Sequence, residues 1–291
     1  MLSRMHLVKG HGTENDFLLL PDLDGEVSLT AGAIRALCDR RSGLGADGIL
    51  RVVRSENDPE SKGFADDAPF FMDYRNADGS LAEMCGNGMR VFARYLQRES
   101  LVGHSAAVAT RGGIRRVRAS GDGDVTVYMG LPRLLADRPI ATAASHSGRP
   151  VRAPGRVLEV PNPHVVVDVA DLDTLAGLDL TGPPSVEPPL PHGQNVEFVV
   201  RLGERHLRLR VHERGSGETR SCGTGICAAV AAAAADDGLE RDGLPWRVDV
   251  PGGTCEVVWQ PDGELLLTGP AVLVADVEVD DAWLRAAAGS A

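Results

Sequence analysis

The sequence predicts an α/β protein made of two similar halves, each presenting a cysteine at the start of a helix. Three observations predict it. A set of markers recurs once in the same order, both copies run strand, turn, cysteine, helix, and 291 residues leave room for two domains of about 150 residues each.

Cys85-Gly86-Asn87-Gly88 returns as Cys222-Gly223-Thr224-Gly225, 137 positions later. Gly112-Gly113 returns as Gly252-Gly253, 140 positions later. Each glycine pair precedes a strand, a Gly/Asp turn and a second strand, ending at Gly130 and at Gly269. Upstream, Asn15-Asp16-Phe17 leads into the apolar run Leu18 to Leu20, and Asn162-Pro163-His164 leads into Val165 to Val167. The insertion Ser55 to Pro69 absorbs the difference in spacing; acidic and polar, it reads as a flexible surface loop. A chain with 34 glycines matches some turns by chance, but not its cysteines and asparagines as well. If the halves face each other, equivalent positions line one cleft, a preferred place for a small molecule.

In the first half, Phe70 to Tyr74 reads as a strand and Asn76-Ala77-Asp78-Gly79 as a turn. A helix follows from about Asn87 to Arg98, with Met89, Phe92 and Leu96 on one face. In the second half, Leu207 to Val211 alternates as a strand and Glu213 to Gly217 turns. Gly225 to Ala235 then forms a helix of strong helix formers, ended by Gly238.

Composition narrows the function. Hydrophobic residues make up 43%, and no apolar stretch is long enough to span a bilayer. The N-terminal Met1 to Gly10 shows no apolar leader, so a cytoplasmic protein is expected. A net charge of −11 disfavours nucleic acid and acidic membrane partners; Arg115, Arg116 and Arg118 read as a solvated strand face. The five cysteines show no disulfide framework, and no spacing suggests a metal site. The only lysines are Lys9, placed at a strand-to-loop transition, and Lys62, placed in the surface loop. Neither suits a buried Schiff base, so pyridoxal phosphate is disfavoured and no cofactor is expected.

Cys85 and Cys222 sit at helix starts, where N–H groups and the helix dipole favour negative charge. Both thiols are therefore expected to be lowered towards thiolate, and the same N–H groups could hold a substrate carboxylate. Inverting a carbon by proton exchange needs a base on one face and an acid on the other, with the roles exchanged in reverse. Two like groups in similar settings meet that need. Cys38, Cys227 and Cys255 read instead as buried small hydrophobes. Of six asparagines, all but Asn57 lie in these motifs or in Gln194-Asn195 before a strand; they suit a zwitterion as well as turn chemistry. Arg214 reads as a carboxylate clamp or half of a surface ion pair with Glu213. Glu213 could bind an ammonium or tune a thiol, and His164 reads as a thiol-tuning group or a structural histidine.

Taken together, Gly12 to Phe17 (GTENDF), Asn76 to Ser80 (NADGS), Met84 to Gly88 (MCGNG), Asn162 to His164 (NPH), Glu213 to Thr219 (ERGSGET) and Ser221 to Gly225 (SCGTG) resemble diaminopimelate epimerase over about residues 5 to 279. The resemblance implies a cofactor-independent epimerase, often a homodimer, that interconverts LL- and meso-diaminopimelate in lysine and cell-wall precursor synthesis. It implies two domains, each a curled, mostly antiparallel sheet around a central helix, with the site in the interdomain cleft. The first would hold residues 1–129 and 270–291, the second residues 130–269. Cys85 and Cys222 would be the acid/base pair. Asn15, Asn76, Asn162, Asn195, Glu213 and Arg214 would bind substrate, with Gly86, Asn87, Gly223 and Thr224 contributing largely through backbone N–H groups. His164 and Glu213 would modulate the thiols. The chain departs from the pattern at Gly48, where many members carry glutamine, and at Thr13-Glu14, where many run straight from glycine to asparagine.

Three other readings compete. Proline or hydroxyproline racemases also use two cysteines, but typically carry histidine where this chain has Asn87 and lack the Glu-Arg-Gly turn. A non-catalytic bilobal binding protein would be expected to lose a cysteine. A redox protein would join Cys85 to Cys222.

Overall fold

A computed structural model describes residues 4–119 and 121–289. Residues 1–3, part of the stretch read as lacking a leader, lie outside the described residues, as do residue 120 and the last two. The chain divides into two compact units, Met1–Val127 with Pro270–Ala291, and Tyr128–Gly269. Both are mixed α/β and dominated by sheet.

In the first unit, strand Arg4–Gly12 pairs antiparallel with Val272–Asp280 on one side and with Asn15–Pro21 on the other. The sheet continues through Gly48–Arg54 (parallel), Phe70–Asn76 (antiparallel), Ser105–Ala109 (parallel), Arg115–Ala119 (antiparallel) and, antiparallel to the last, residues 125–127 at the start of strand Val125–Gly130, where the unit ends. In the second unit the order is Arg133–Leu134, Val151–Val160, Asn162–Asp168, Asn195–Gly203, His206–Glu213, Pro245–Val250, Gly253–Trp259 and Leu265–Gly269. The sense of pairing runs through the same succession as in the first unit, with the parallel joins at the same two places. The repeat read from glycines and cysteines is thus a repeat of topology.

Among the described residues each unit has one long buried helix, inserted at its second parallel join: between Phe70–Asn76 and Ser105–Ala109 in the first, and between His206–Glu213 and Pro245–Val250 in the second. Helix Gly86–Arg98 buries Met89, Phe92 and Leu96 as the periodicity predicts. Helix Gly223–Asp237 is buried on every side from Gly223 to Ala234, which explains its run of alanines: no face is left for solvent. It touches seven strands of its own sheet. Strands lie about 4.8 Å apart, so seven laid flat would span roughly 29 Å, far beyond a helix about 10–12 Å wide. The sheet must curl around it. Gly238 ends the helix in the left-handed conformation (φ 68°), its N–H bonded to the Ala234 carbonyl.

Two local expectations are corrected. The Ser55–Pro69 insertion is no loose loop. It folds into the turns Ser55–Asn57 and Lys62–Phe64, with Ser55 and Ser61 fully buried. Three of its polar residues face inward, while Glu56, Asn57, Glu60, Lys62, Asp66 and Asp67 stay exposed: Ser61 Oγ donates to the Ser55 carbonyl at 3.1 Å, and Arg51 Nη1 donates to Asp58 at 2.9 Å. Lys9 lies inside strand Arg4–Gly12, just before a bulge, and its ammonium bonds Asp16 and the Gly45 carbonyl.

Thr13 and Glu14 form the two-residue tip of the first hairpin, both left-handed (φ 49° and 60°), between the paired Gly12 and Asn15. Non-glycine residues there are strained, by about 1–2 kcal/mol each. The Thr13 hydroxyl secures the tip, donating to the Gly12 carbonyl (2.7 Å) and accepting from Arg90 Nη2 (3.0 Å). The departure at Thr13-Glu14 therefore leaves Asn15 as the first residue of its strand. Cys38, Cys227 and Cys255 are buried, and all five cysteines are thiols. No described helix is long and apolar enough to cross a membrane.

Candidate active site

The motif residues gather at one end of each sheet because strand sense brings them there. In the first unit Asn15 and Gly48 begin adjacent parallel strands, while Asn76 ends the antiparallel strand that follows and pairs with Gly48. In the second, Asn162 and Asn195 begin adjacent parallel strands, and Glu213 ends the next. Cys85 and Cys222 are the N-cap residues of the two buried helices.

In the first unit, Cys85 Sγ accepts from the Gly88 N–H at 3.3 Å and donates to Asn15 Oδ1 at 3.6 Å. The Asn87 amide donates to the same oxygen at 3.3 Å, and the Asn15 amide donates to Asp47 at 2.7 Å. Asn15, Cys85 and Asn87 thus form one cluster. Asp47 also holds Arg40, which with Lys9 binds Asp16. Burial raises the Asp16 carboxyl, but Arg40 and Lys9 outweigh it and hold it at about 2. Asn76 stands at the strand end and donates to Ser80 Oγ.

The second unit is drier. Cys222 is buried and its Sγ lies 3.4 Å from Thr224 Oγ1. His164 is fully buried, with Nε2 at 3.1 Å from Asn162 Oδ1 and Nδ1 at 2.7 Å from Glu197 Oε1. Asn195 Oδ1 accepts the Arg214 backbone N–H at 2.9 Å. The exposed Arg214 guanidinium donates to the His192 carbonyl.

The expected lowering of the thiols is overturned at Cys222. Burial, the Glu213 carboxylate and the Glu197 carboxylate together push it well above its ordinary value, against the Thr224 hydroxyl and the Gly225 N–H. Burial likewise raises the Glu213 carboxyl, opposed by hydrogen bonds from Thr219 and Cys222. A helix start favours thiolate, but the buried Glu197 carboxylate, the half-buried Glu213 carboxylate and the loss of water dominate. Sequence reasoning missed Glu197, although its signal was present: a single carboxylate inside the apolar run Val196 to Val200.

Gly48 has a steric reason to be glycine. A Cβ there would lie 2.5 Å from the Arg75 carbonyl and 2.8 Å from Tyr74 Cε2. Gly48→Gln is therefore expected to destabilise the protein by about 1–3 kcal/mol without lowering KM. Thermal melts beside steady-state kinetics check this.

The sequence profile described as diaminopimelate epimerase matches residues 7–135 and 157–274. The chain is 54% identical to the diaminopimelate epimerase of Streptomyces coelicolor, over 98% of this chain and 99% of that one. It is 49% identical to that of Thermobifida fusca, over 97% and 100%. Among solved structures, a PhzF-family phenazine biosynthesis protein from Bacillus anthracis superposes with a TM-score of 0.68 at 17% identity, over 95% of this chain and 99% of that one. A hydroxyproline epimerase from Agrobacterium vitis gives 0.65 at 14%, over 96% and 93%. At such identities the structural neighbours speak to the fold alone.

Proposed function

The chain belongs to the diaminopimelate epimerase family, and from that premise we propose that it interconverts LL- and meso-diaminopimelate by proton exchange between two thiols, Cys85 and Cys222. One observation carries the reading: each cysteine caps the one long buried helix of its unit, at the same step of the same topology.

In this reading one thiolate removes the α-proton from its face while the other thiol delivers a proton to the opposite face, and the reverse reaction exchanges the roles. Cys222, kept as a thiol by burial and its two carboxylate neighbours, donates in the direction where Cys85 abstracts. Charge gathering on the substrate carboxylate is met by N–H groups at the helix starts, around Gly86 and Asn87 in one unit and Gly223 and Thr224 in the other. Asn15, Asn76, Asn162, Asn195, Glu213 and Arg214 hold the zwitterion, and His164 and Glu213 tune the thiol of their unit. The reaction needs no pyridoxal phosphate; the ion pair of Lys9 with Asp16 supports this. The enzyme works in the cytoplasm as a homodimer, as the family resemblance implies.

Incubation with LL-diaminopimelate in D₂O, without added cofactor, is expected to yield meso product carrying deuterium at the inverted carbon. Racemisation of proline with indifference to diaminopimelate would overturn the assignment in favour of the racemase reading.

A further inference from the structure

A carboxylate in an apolar interior is unfavourable unless it is paired, and Glu197 is only half paired. It is fully buried in strand Asn195–Gly203, flanked by Val166 and Val211 on the neighbouring strands. Oε1 lies 2.7 Å from His164 Nδ1, while Oε2 is buried with no hydrogen-bond partner. A Cβ on Gly225 would fall 2.5 Å from Oε1, so the first turn of the Cys222 helix sits directly on this carboxylate. Only glycine at that position leaves room for it.

Counting protons defines the pair. Asn162 Oδ1 can only accept, so His164 Nε2 carries a hydrogen towards it. Two bare acceptors would repel at the Nδ1–Oε1 distance, so one proton lies between them. The ring is thereby fixed in orientation, and the carboxylate end of the pair faces the helix start.

We propose that Glu197 is a positioning residue for the thiol of this unit: it fixes the His164 ring through a shared proton and sets negative charge beneath the Cys222 helix start, which keeps Cys222 a proton donor at rest. The proposal rests on reading Cys222 as one of the two acid/base groups. The groups that act on Cys222 are Glu213 from strand His206–Glu213, Glu197 from strand Asn195–Gly203, and the Thr224 hydroxyl and Gly225 N–H of the helix itself. His164, from strand Asn162–Asp168, acts on Glu197 and Glu213. Glu197→Gln replaces the pair with a neutral amide beside a neutral imidazole, so the negative end that faces the helix start is lost and the thiolate forms more easily.

The test is alkylation of Cys222 by iodoacetamide, located by mass spectrometry, beside the pH profile of kcat/KM. In Glu197→Gln, Cys222 should react about tenfold faster at pH 8, the result of roughly one pH unit of displacement. The alkaline limb of kcat/KM should move to lower pH. Glu197→Asp keeps the charge and should remain near wild type in both. If Glu197→Gln alters only stability or kcat, with alkylation rate and pH profile unmoved, Glu197 is a packing residue and the proposal fails. Should Glu197→Gln not fold, His164→Asn carries the test. It leaves the carboxylate without its partner, so alkylation of Cys222 must slow; unchanged or faster reaction overturns the proposal. A wild-type enzyme inactive on diaminopimelate would sink the functional reading while leaving the alkylation result to stand alone.

Discussion

Cys222→Ala is expected to lose inversion while retaining solvent exchange at the α-carbon of one epimer. With the Cys222 thiol gone, Cys85 can still take the α-proton from its own face, trade it with solvent and return it to the same face. No acid remains on the other face, so the configuration is kept. Cys85→Ala should do the converse and exchange the opposite epimer. General acid–base groups contribute about 10²–10⁴-fold each, so inversion should fall by at least that much in either variant. NMR in D₂O separates the two events, because exchange removes the α-proton signal and inversion changes the diastereomer. Melting curves confirm that the variants fold. Inversion at the wild-type rate in either variant contradicts the two-thiol reading.

The largest stability effect is expected at Asp73. Its carboxylate is almost completely buried among three guanidinium groups: Arg111 Nη2 at 2.7 Å, Arg75 Nη2 at 3.0 Å and Arg51 Nη1 at 3.5 Å. Arg51 in turn holds Asp22 and Asp58. Asp73→Asn keeps the shape but removes the charge that balances this cluster. Breaking a buried pair by removing one partner costs about 3–5 kcal/mol. The melting temperature should therefore fall by roughly 10 °C.

Acid tests the same group. Burial raises the Asp73 carboxyl, but hydrogen bonds from Arg75 and Arg111 outweigh it and hold it below the usual range. A group lowered in the folded state stabilises fully above its unfolded pKa, about 3.9, and loses that contribution as pH falls through the folded value. Wild type should therefore lose stability steadily below about pH 4, with Asp16 adding to the slope because it titrates at about 2. Asp73→Asn should show a shallower acid slope than wild type in urea unfolding at successive pH values. An equal slope, or a loss below 1 kcal/mol at pH 7, would refute the assignment.

What could be read in advance followed the chain's local signals. The repeat lay in glycines, asparagines and cysteines at near-constant offsets, and these mark strand ends and helix starts directly. Helix Gly223–Asp237 could be foreseen because alanine favours helix and Gly238 stops it. The environment of Cys222 could not. Glu213 and Glu197 come from two neighbouring strands, 9 and 25 positions away, and only sheet register brings both beside the thiol. Ser55–Pro69 misled for a related reason. Its polar composition suits solvent, yet Arg51 and Asp58 meet inside, where each satisfies the other. Gly48 showed a missing side chain but not the Arg75 carbonyl that forbids one.

Strand Val272–Asp280, from the far end of the chain, lies along Arg4–Gly12. This makes the order of synthesis differ from the order of completion. While the ribosome is still at work, the segment Tyr128–Gly269 is already whole and can fold as a body. The unit begun first must wait with one flank of its opening strand unzipped. Nascent chains stalled before Val272 should therefore expose that flank to chaperones, and a C-terminal truncation should damage the Cys85 half and spare the half that holds Cys222.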